Sequence, residues 1–288
     1  MQCTETVVLA CIDGSAFTPA VCDYAAWIAQ RVEVPLKLLH NLERRDTADR
    51  ADLSGAIGLG SQEHLLEELT ELEQQRSKLM LQKGKLMLEA ARERVVKAGV
   101  ADPIVSQRHG SLTESLIELE DQIRVLVLGV RGEAHENRPG QLGAQLETII
   151  RSLHRPILVV NAPFTAPRRI MLAYDGSDAA EKAVDMVATS PLYKGLACHL
   201  VCVNKDERTA DALLEAASNK IAQAGGIELI TQKLRGKPDQ ELCDYQAAHD
   251  IDLTVMGAFS HTRFRELLLG SFTAKMLLHM KKPLLLLR

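Results

Sequence analysis

The chain has 288 residues, of which 46% are apolar, so it is long enough for two domains that each bury a core. Its net charge of −4 and aromatic content of 3% argue against nucleic-acid binding, which uses basic patches and aromatic stacking surfaces. Neither a membrane-spanning run nor a basic leader is seen, and the six cysteines form no CxxC pair. We therefore expect a cytoplasmic protein with reduced thiols, no membrane partner and no metal site.

The first elements alternate between strand-like and helix-like patterns. The apolar run VVLACIDGS (7–15) ends in Asp13, Gly14 and Ser15, and residues 18–32 then place apolar side chains at helical spacing. A second apolar run follows at 36–41. Runs that stay apolar throughout are typical of strands covered on both faces, as in a parallel sheet between two helical layers.

Residues 60–99 form a long charged stretch with helical character. It carries a partial apolar stripe, made by Leu65, Leu69, Leu72, Leu79 and Leu86. We interpret this stretch as a solvated helix that covers one face of the sheet. A surface for a partner protein is the alternative.

Further apolar runs at 124–129 and 155–160 complete the first half, and NAPFTAPRR (161–169) is typical of an extended linker. The second half repeats the order: 170–177, 198–203, 252–257 and 282–287 match the four runs of the first half. This repeat predicts an α/β protein of two tandem, doubly wound, five-stranded parallel-sheet domains, 1–162 and 163–288. If the last strands of the two domains pair within the chain, a pseudo-twofold axis would relate the domains. Whether the whole chain also forms a homodimer is left open by the sequence.

In the second half, Asp175, Gly176 and Ser177 follow the first strand, where such sheets bind ligands. Asp175 could accept hydrogen bonds from a ligand, and Gly176 permits a tight turn. Alternatively, the serine or aspartate only caps the following helix.

The segment MGAFSHTRFRELLLGS (256–271) suggests a phosphate site. Gly257 ends a buried strand and would allow a phosphate to approach the main chain. Gly270 and Ser271 open a helix whose free N–H groups and dipole favour an anion. Two nearby hydroxyl groups could donate to the phosphate, those of Ser271 and Thr273. Three nearby side chains could supply positive charge, those of His261, Arg263 and Arg265.

Together these motifs resemble the universal stress protein family, in a tandem arrangement over nearly the whole chain. The resemblance implies a Rossmann-like architecture, similar to that of the adenine nucleotide alpha hydrolases. Nucleotide-binding members carry Gly, two residues, Gly, nine residues, Gly and then Ser or Thr. Here Gly257, Ser260, Gly270 and Ser271 occupy these positions, so Ser260 departs from the pattern.

The resemblance further implies ATP as the ligand, with Mg²⁺ able to accompany its phosphates. Asp175 and the backbone near Val203 would face adenine, whereas Gly257 would lie near the ribose and phosphates. N–H groups of Gly270, Ser271 and Phe272 would bind the phosphates. The remaining cofactor-binding candidates are Gly176, Ser177, Met256, Ser260, His261, Arg263 and Thr273.

The equivalent site in the first half departs further from this pattern. It keeps Asp13, Gly129 and Gly132, but its next glycine comes one residue late, at Gly143. Ala144 replaces the hydroxyl residue, Leu146 replaces Thr273, and the loop between the glycines adds Glu133 and Glu136. We therefore expect a structural copy with little nucleotide binding, although Asn41 at the adenine-facing position could equally indicate another small ligand.

The favoured function is an ATP-binding stress protein that senses or signals nucleotide state, with no catalytic residue assigned. An enzyme with slow ATP hydrolysis or self-phosphorylation through His261 or Ser271 is one alternative. A scaffold without nucleotide, in which both sites are lost, is the other.

Overall fold

The computed structural model describes residues 6–42, 59–132, 142–143, 145–258 and 271–288, with backbone alone at 59–67 and 271. In the first half the elements are β1 (Val7–Cys11), α1 (Thr18–Val32), β2 (Leu36–Leu42), α2 (Leu59–Lys97), β3 (Ile104–His109), α3 (Leu112–Leu119), β4 (Ile123–Gly129), α4 (Leu146–Ser152) and β5 (Ile157–Val160). In the second half they are β6 (Arg169–Ala173), α5 (Asp178–Thr189), β7 (Ala197–Val203), α6 (Glu207–Ala224), β8 (Glu228–Leu234), α7 (Pro238–Ala248), β9 (Leu253–Gly257), α8 (Ser271–His279) and β10 (Leu284–Leu287).

All ten strands belong to one sheet, in the order β3-β2-β1-β4-β5-β10-β9-β6-β7-β8. Within each half the neighbouring strands are parallel, as the continuous apolar runs predict. The order of the second half mirrors that of the first. The predicted α/β class and the tandem repeat are therefore confirmed.

The two halves join at the centre of the sheet, where β5 and β10 pair antiparallel. Leu158 lies opposite Leu285, and both side chains are buried. The two five-stranded units thus share one continuous hydrogen-bonded sheet.

Helices cover both faces of this sheet and enclose two apolar cores. α1, the C-terminal part of α2, α5 and α6 lie on one face. α3, α4, α7 and α8 lie on the other. Alternate residues of β1 enter opposite cores, Val8 and Ala10 one of them and Leu9 the other, as the period of a strand requires.

The long helix α2 covers the sheet only in part. Leu88, Ala91 and Val95 are buried against the sheet and α1, whereas every residue from 68 to 80 is exposed. The interpretation of 60–99 as a helix that covers one face therefore holds for its C-terminal part and not for the preceding turns.

Candidate functional site

The predicted site lies at the edge of the sheet where β6, β7 and β9 end side by side. β6 lies between the other two strands, and its last residue, Ala173, pairs with Met256 of β9. Val203 and Gly257 end the neighbouring strands, so Asp175, two residues beyond β6, leaves the sheet between them. The chain runs from β6 to β7 on one side, and β9 lies on the other. This edge is therefore a topological switch point, where open α/β sheets bind ligands.

In the Asp-Gly-Ser turn, the serine caps the following helix, and the aspartate side chain is exposed. Ser177 is the N-cap of α5: its Oγ accepts a hydrogen bond from the N–H of Ala180 at 3.2 Å, and its side chain is buried. Asp175 is exposed, and its Oδ1 accepts from the N–H of Ser177 at 3.0 Å. Gly176 has φ +76°, which glycine adopts without strain. The serine thus stabilises the helix start, whereas the carboxylate is exposed to solvent.

Gly257 packs against the start of α5. A Cβ at this position would lie 2.8 Å from Cβ of Ala179 and 3.1 Å from the backbone N of Ala180. Close packing of the strand end on the helix therefore requires glycine here, whether or not a phosphate approaches. The side chain of the preceding Met256 is buried in the core beside α7 and α8.

Val203 is half-buried and packs against the same core as Met256. The residue before it, Cys202, is buried on the opposite face of the sheet. Burial raises the pKa of the Cys202 thiol, and the negative charge of Asp175 raises it further. The Asp175 carboxylate thus exerts its field on the end of β7, as expected if the two lie close together.

Helix α8 begins at Ser271 and presents the N–H groups of its first turn at this end of the fold. Phe272 is half-buried, and Thr273 is buried. The Thr273 hydroxyl donates to the carbonyl of Ala258, with 2.5 Å between Oγ1 and O. This hydrogen bond ties the start of α8 to the residue that follows β9.

Several predicted residues of the phosphate segment lie outside the described residues, namely Ser260, His261, Arg263, Arg265 and Gly270. The structure therefore brings together Asp175, Gly176, Ser177, Val203, Met256 and Gly257 at one edge, and places Ser271, Phe272 and Thr273 in the first turn of the helix that follows.

The corresponding turn in the first half is held by more internal contacts. Oδ1 of Asp13 accepts from the N–H of Ser15 at 3.0 Å and from the hydroxyl of Thr18 at 3.1 Å. Its Oδ2 lies 3.1 Å from where a Cβ on Gly132 would be. The sequence analysis did not single out Thr18, because its role as a donor to Asp13 becomes evident only from the fold. The predicted Glu133, Glu136 and Ala144 lie outside the described residues.

One equivalent backbone carbonyl, that of the residue after β4 in the first half and after β9 in the second, accepts a hydrogen bond in both halves. In the first half, the carbonyl of Val130 accepts from the backbone N–H of Gly143 at 3.0 Å. In the second half, the carbonyl of Ala258 accepts from the Thr273 hydroxyl. Leu146, at the position of Thr273, has no hydroxyl and is buried in the core.

The described cysteines are free thiols and are not set up as nucleophiles. Burial raises the pKa of Cys22 and Cys198 to about 12, and burial together with the charge of Asp13 does the same for Cys11. A thiol with such a pKa carries almost no thiolate at neutral pH. Asn41, the adenine-facing candidate of the first half, donates from Nδ2 to the carbonyl of Gly110 at 2.6 Å.

Within the described ranges, no group of three or more His, Cys, Asp or Glu side chains is placed to hold a metal ion. None of the helices in these ranges is both long and apolar enough to cross a bilayer.

Comparison with known proteins agrees with this architecture. A universal stress protein from Synechocystis is 35% identical over 284 residues, which cover 98% of this chain and 99% of that protein. The crystal structure of a universal stress protein from Archaeoglobus fulgidus matches 100% of this chain and 99% of its own, with 18% identity and a TM-score of 0.73. A family protein from Arabidopsis thaliana, solved with AMP bound, matches 42% of this chain and 91% of its own, with 17% identity and a TM-score of 0.34.

The family model described as universal stress protein family matches residues 6–161 and 203–288. These segments contain β1 to β5 of the first half, and α6 to β10 of the second. The Synechocystis relative and the two segments that the family model matches lead to the same conclusion: the chain belongs to the universal stress protein family.

Proposed function

We propose that this protein binds ATP in its second unit, 163–288, and acts in the cytoplasm as a nucleotide-dependent sensor or signalling module of the stress response. The first unit, 1–162, supplies half of the sheet and binds nucleotide weakly or not at all. Mg²⁺ would arrive with the phosphates and be held by them and by water.

The observation that carries this proposal is the exposed carboxylate of Asp175 at the switch point, between the ends of β7 and β9. A carboxylate oxygen is an acceptor for the exocyclic amino group of adenine. Val203, half-buried beside it, offers an apolar surface for the base. These residues fit the adenosine part of the ligand.

The start of α8 supports the phosphate part of the proposal. The N–H groups of Ser271 and Phe272 have no acceptor within the helix, and together with the positive end of the helix dipole they favour an anion. The Thr273 hydroxyl, which donates to the carbonyl of Ala258, holds this helix start against the end of β9. In the first half, the amide of Gly143 donates to the carbonyl of Val130. An amide that is already bonded within the protein is not available to a phosphate, so this contact argues against the first unit as the nucleotide site.

Isothermal titration calorimetry with ATP tests the assignment, combined with mass spectrometry of small molecules released from the purified protein. Loss of a hydrogen bond to a charged group should weaken binding about 10- to 100-fold in Asp175→Ala. Gly270→Asp, which adds a carboxylate to the phosphate segment, should abolish it. Asp13→Ala is the matched control and should retain the wild-type affinity.

Three outcomes would contradict the proposal. Equal losses in Asp13→Ala and Asp175→Ala would show that the second unit has no special role. A wild type that retains no adenine nucleotide and gives no heat with ATP would favour the scaffold. Continuous phosphate release that His261→Ala abolishes would instead indicate an enzyme.

A further inference from the structure

The exposed part of α2 carries an apolar stripe that the nucleotide site does not explain. Leu72, Leu79 and Leu86 are spaced seven residues apart, and their exposed fractions are 60%, 65% and 73%. Seven residues are nearly two helical turns, so the three side chains lie on one face. That face is opposite to the one through which Leu88 packs on the sheet. In the sequence, Leu65 continues the same spacing.

Charge is divided along the same helix. The acidic residues precede the basic ones, and neither segment contains a charge of the opposite sign: Glu63, Glu67, Glu68, Glu71 and Glu73 come first, followed by Arg76, Lys78, Lys83 and Lys85. A parallel pair of such helices would place like charges together. An antiparallel pair would place the acidic segment of each helix against the basic segment of the other.

We propose that the exposed part of α2 binds a second copy of this chain as an antiparallel helix pair. In a pair centred on Gln75, Leu72 of each copy lies beside Leu79 of the other. The same register places Glu71 beside the second copy's Lys78, and Glu73 beside its Arg76. A twofold axis makes every such contact occur twice, so one surface complements itself.

The apolar stripe supplies the attraction, and the charges supply orientation. Exposed ion pairs contribute little by themselves, whereas leucine side chains removed from water drive association. Since only the C-terminal part of α2 packs on the sheet, the turns around Gln75 extend past it and are accessible to a second helix.

Sedimentation equilibrium over a range of protein concentrations tests the proposal on the full-length chain. We expect a reversible dimer for the wild type. Leu72→Lys combined with Leu79→Lys should raise the dissociation constant at least about 100-fold, because four buried leucines per dimer are lost. Gln74→Lys combined with Ser77→Lys adds the same charge to exposed positions on the opposite face, and this control should leave the dissociation constant nearly unchanged.

Charge variants test the identity and the direction of the partner. Glu71→Lys with Glu73→Lys makes the helix basic throughout its centre, and Arg76→Glu with Lys78→Glu makes it acidic. Each variant alone should dimerise more weakly than the wild type, whereas an equimolar mixture of the two should regain dimer. Leu72→Cys mixed with Leu79→Cys should form a disulfide-linked pair more readily than either variant alone, because the helices are antiparallel.

Since the substituted positions are exposed, every variant should keep the helical circular dichroism spectrum of the wild type. A variant with that spectrum cannot owe its weaker dimerisation to unfolding. A monomeric wild type at all concentrations would overturn the proposal. So would a dimer that survives the two leucine substitutions, because another surface would then hold it together.

Discussion

Replacing Thr273 by valine tests whether its hydroxyl serves the fold or the ligand. Valine keeps the shape of the side chain and removes the donor. The hydroxyl donates to the carbonyl of Ala258 at 2.5 Å, and Thr273 is buried. The substitution therefore leaves a buried carbonyl without this partner.

The loss of stability in Thr273→Val follows from the burial of this hydrogen bond. Leaving a buried acceptor unsatisfied costs about 1–3 kcal/mol. In a chain of this size, each kcal/mol lowers Tm by roughly 2–4 °C. We therefore expect Thr273→Val to melt several degrees below the wild type.

Differential scanning calorimetry without nucleotide measures this change. Thr189→Val is the matched control, because the Thr189 hydroxyl donates to the carbonyl of Asp185 at 2.7 Å at an exposed position. Water can replace that donor, so the control should lose less than about 0.5 kcal/mol. Thr273→Ser keeps the hydroxyl and should lose only about 1 kcal/mol, for the missing methyl group.

An unchanged Tm in Thr273→Val, together with weaker ATP binding, would refute this reasoning. The hydroxyl would then act on the phosphates, and its hydrogen bond to Ala258 would not persist in solution.

Three other predictions concern the same half of the chain. Gly257→Ala should cost about 1–3 kcal/mol by urea unfolding, and less in an Ala179→Gly background, since the two Cβ atoms would lie 2.8 Å apart. Ser177→Ala should cost about 1 kcal/mol in the same assay, because the N–H of Ala180 loses its cap; full stability would show that water replaces the cap. Burial lowers the pKa of His199 below its ordinary 6.5, and the nearby His249 and Arg169 lower it further. The unfolded chain therefore binds this proton first as pH falls through 6.5, so Tm should fall on acidification below that value, and His199→Asn should lessen the fall.

The centre of the sheet could be predicted from the sequence, and its edges could not. β1 is buried along its whole length, so it reads as an apolar run. β3 and β8, at the two ends of the sheet, have exposed and half-buried residues in the sequences IVSQRH and ELITQKL. A search for continuous apolar runs detects only strands that are covered on both faces, so it misses such edges.

For the candidate site, the sequence could predict only where its residues lie in the fold. Asp175 and Gly257 each follow a predicted strand, and the structure has both at the same edge of the sheet. The reason for Gly257 could not be predicted, because the atoms that exclude a Cβ belong to Ala179 and Ala180, far away in the sequence. The use of Thr273 as a donor to Ala258 depended likewise on where α8 meets β9.

The antiparallel seam between β5 and β10 has a consequence for how the two halves could diverge. In a symmetric dimer of identical chains, every substitution occurs on both sides of the seam. Covalent linkage keeps the two strands at a high effective concentration and lets each side change alone. One half can then lose a binding pocket while the other half keeps its own. In the same way, α2 can become longer than its counterpart α6.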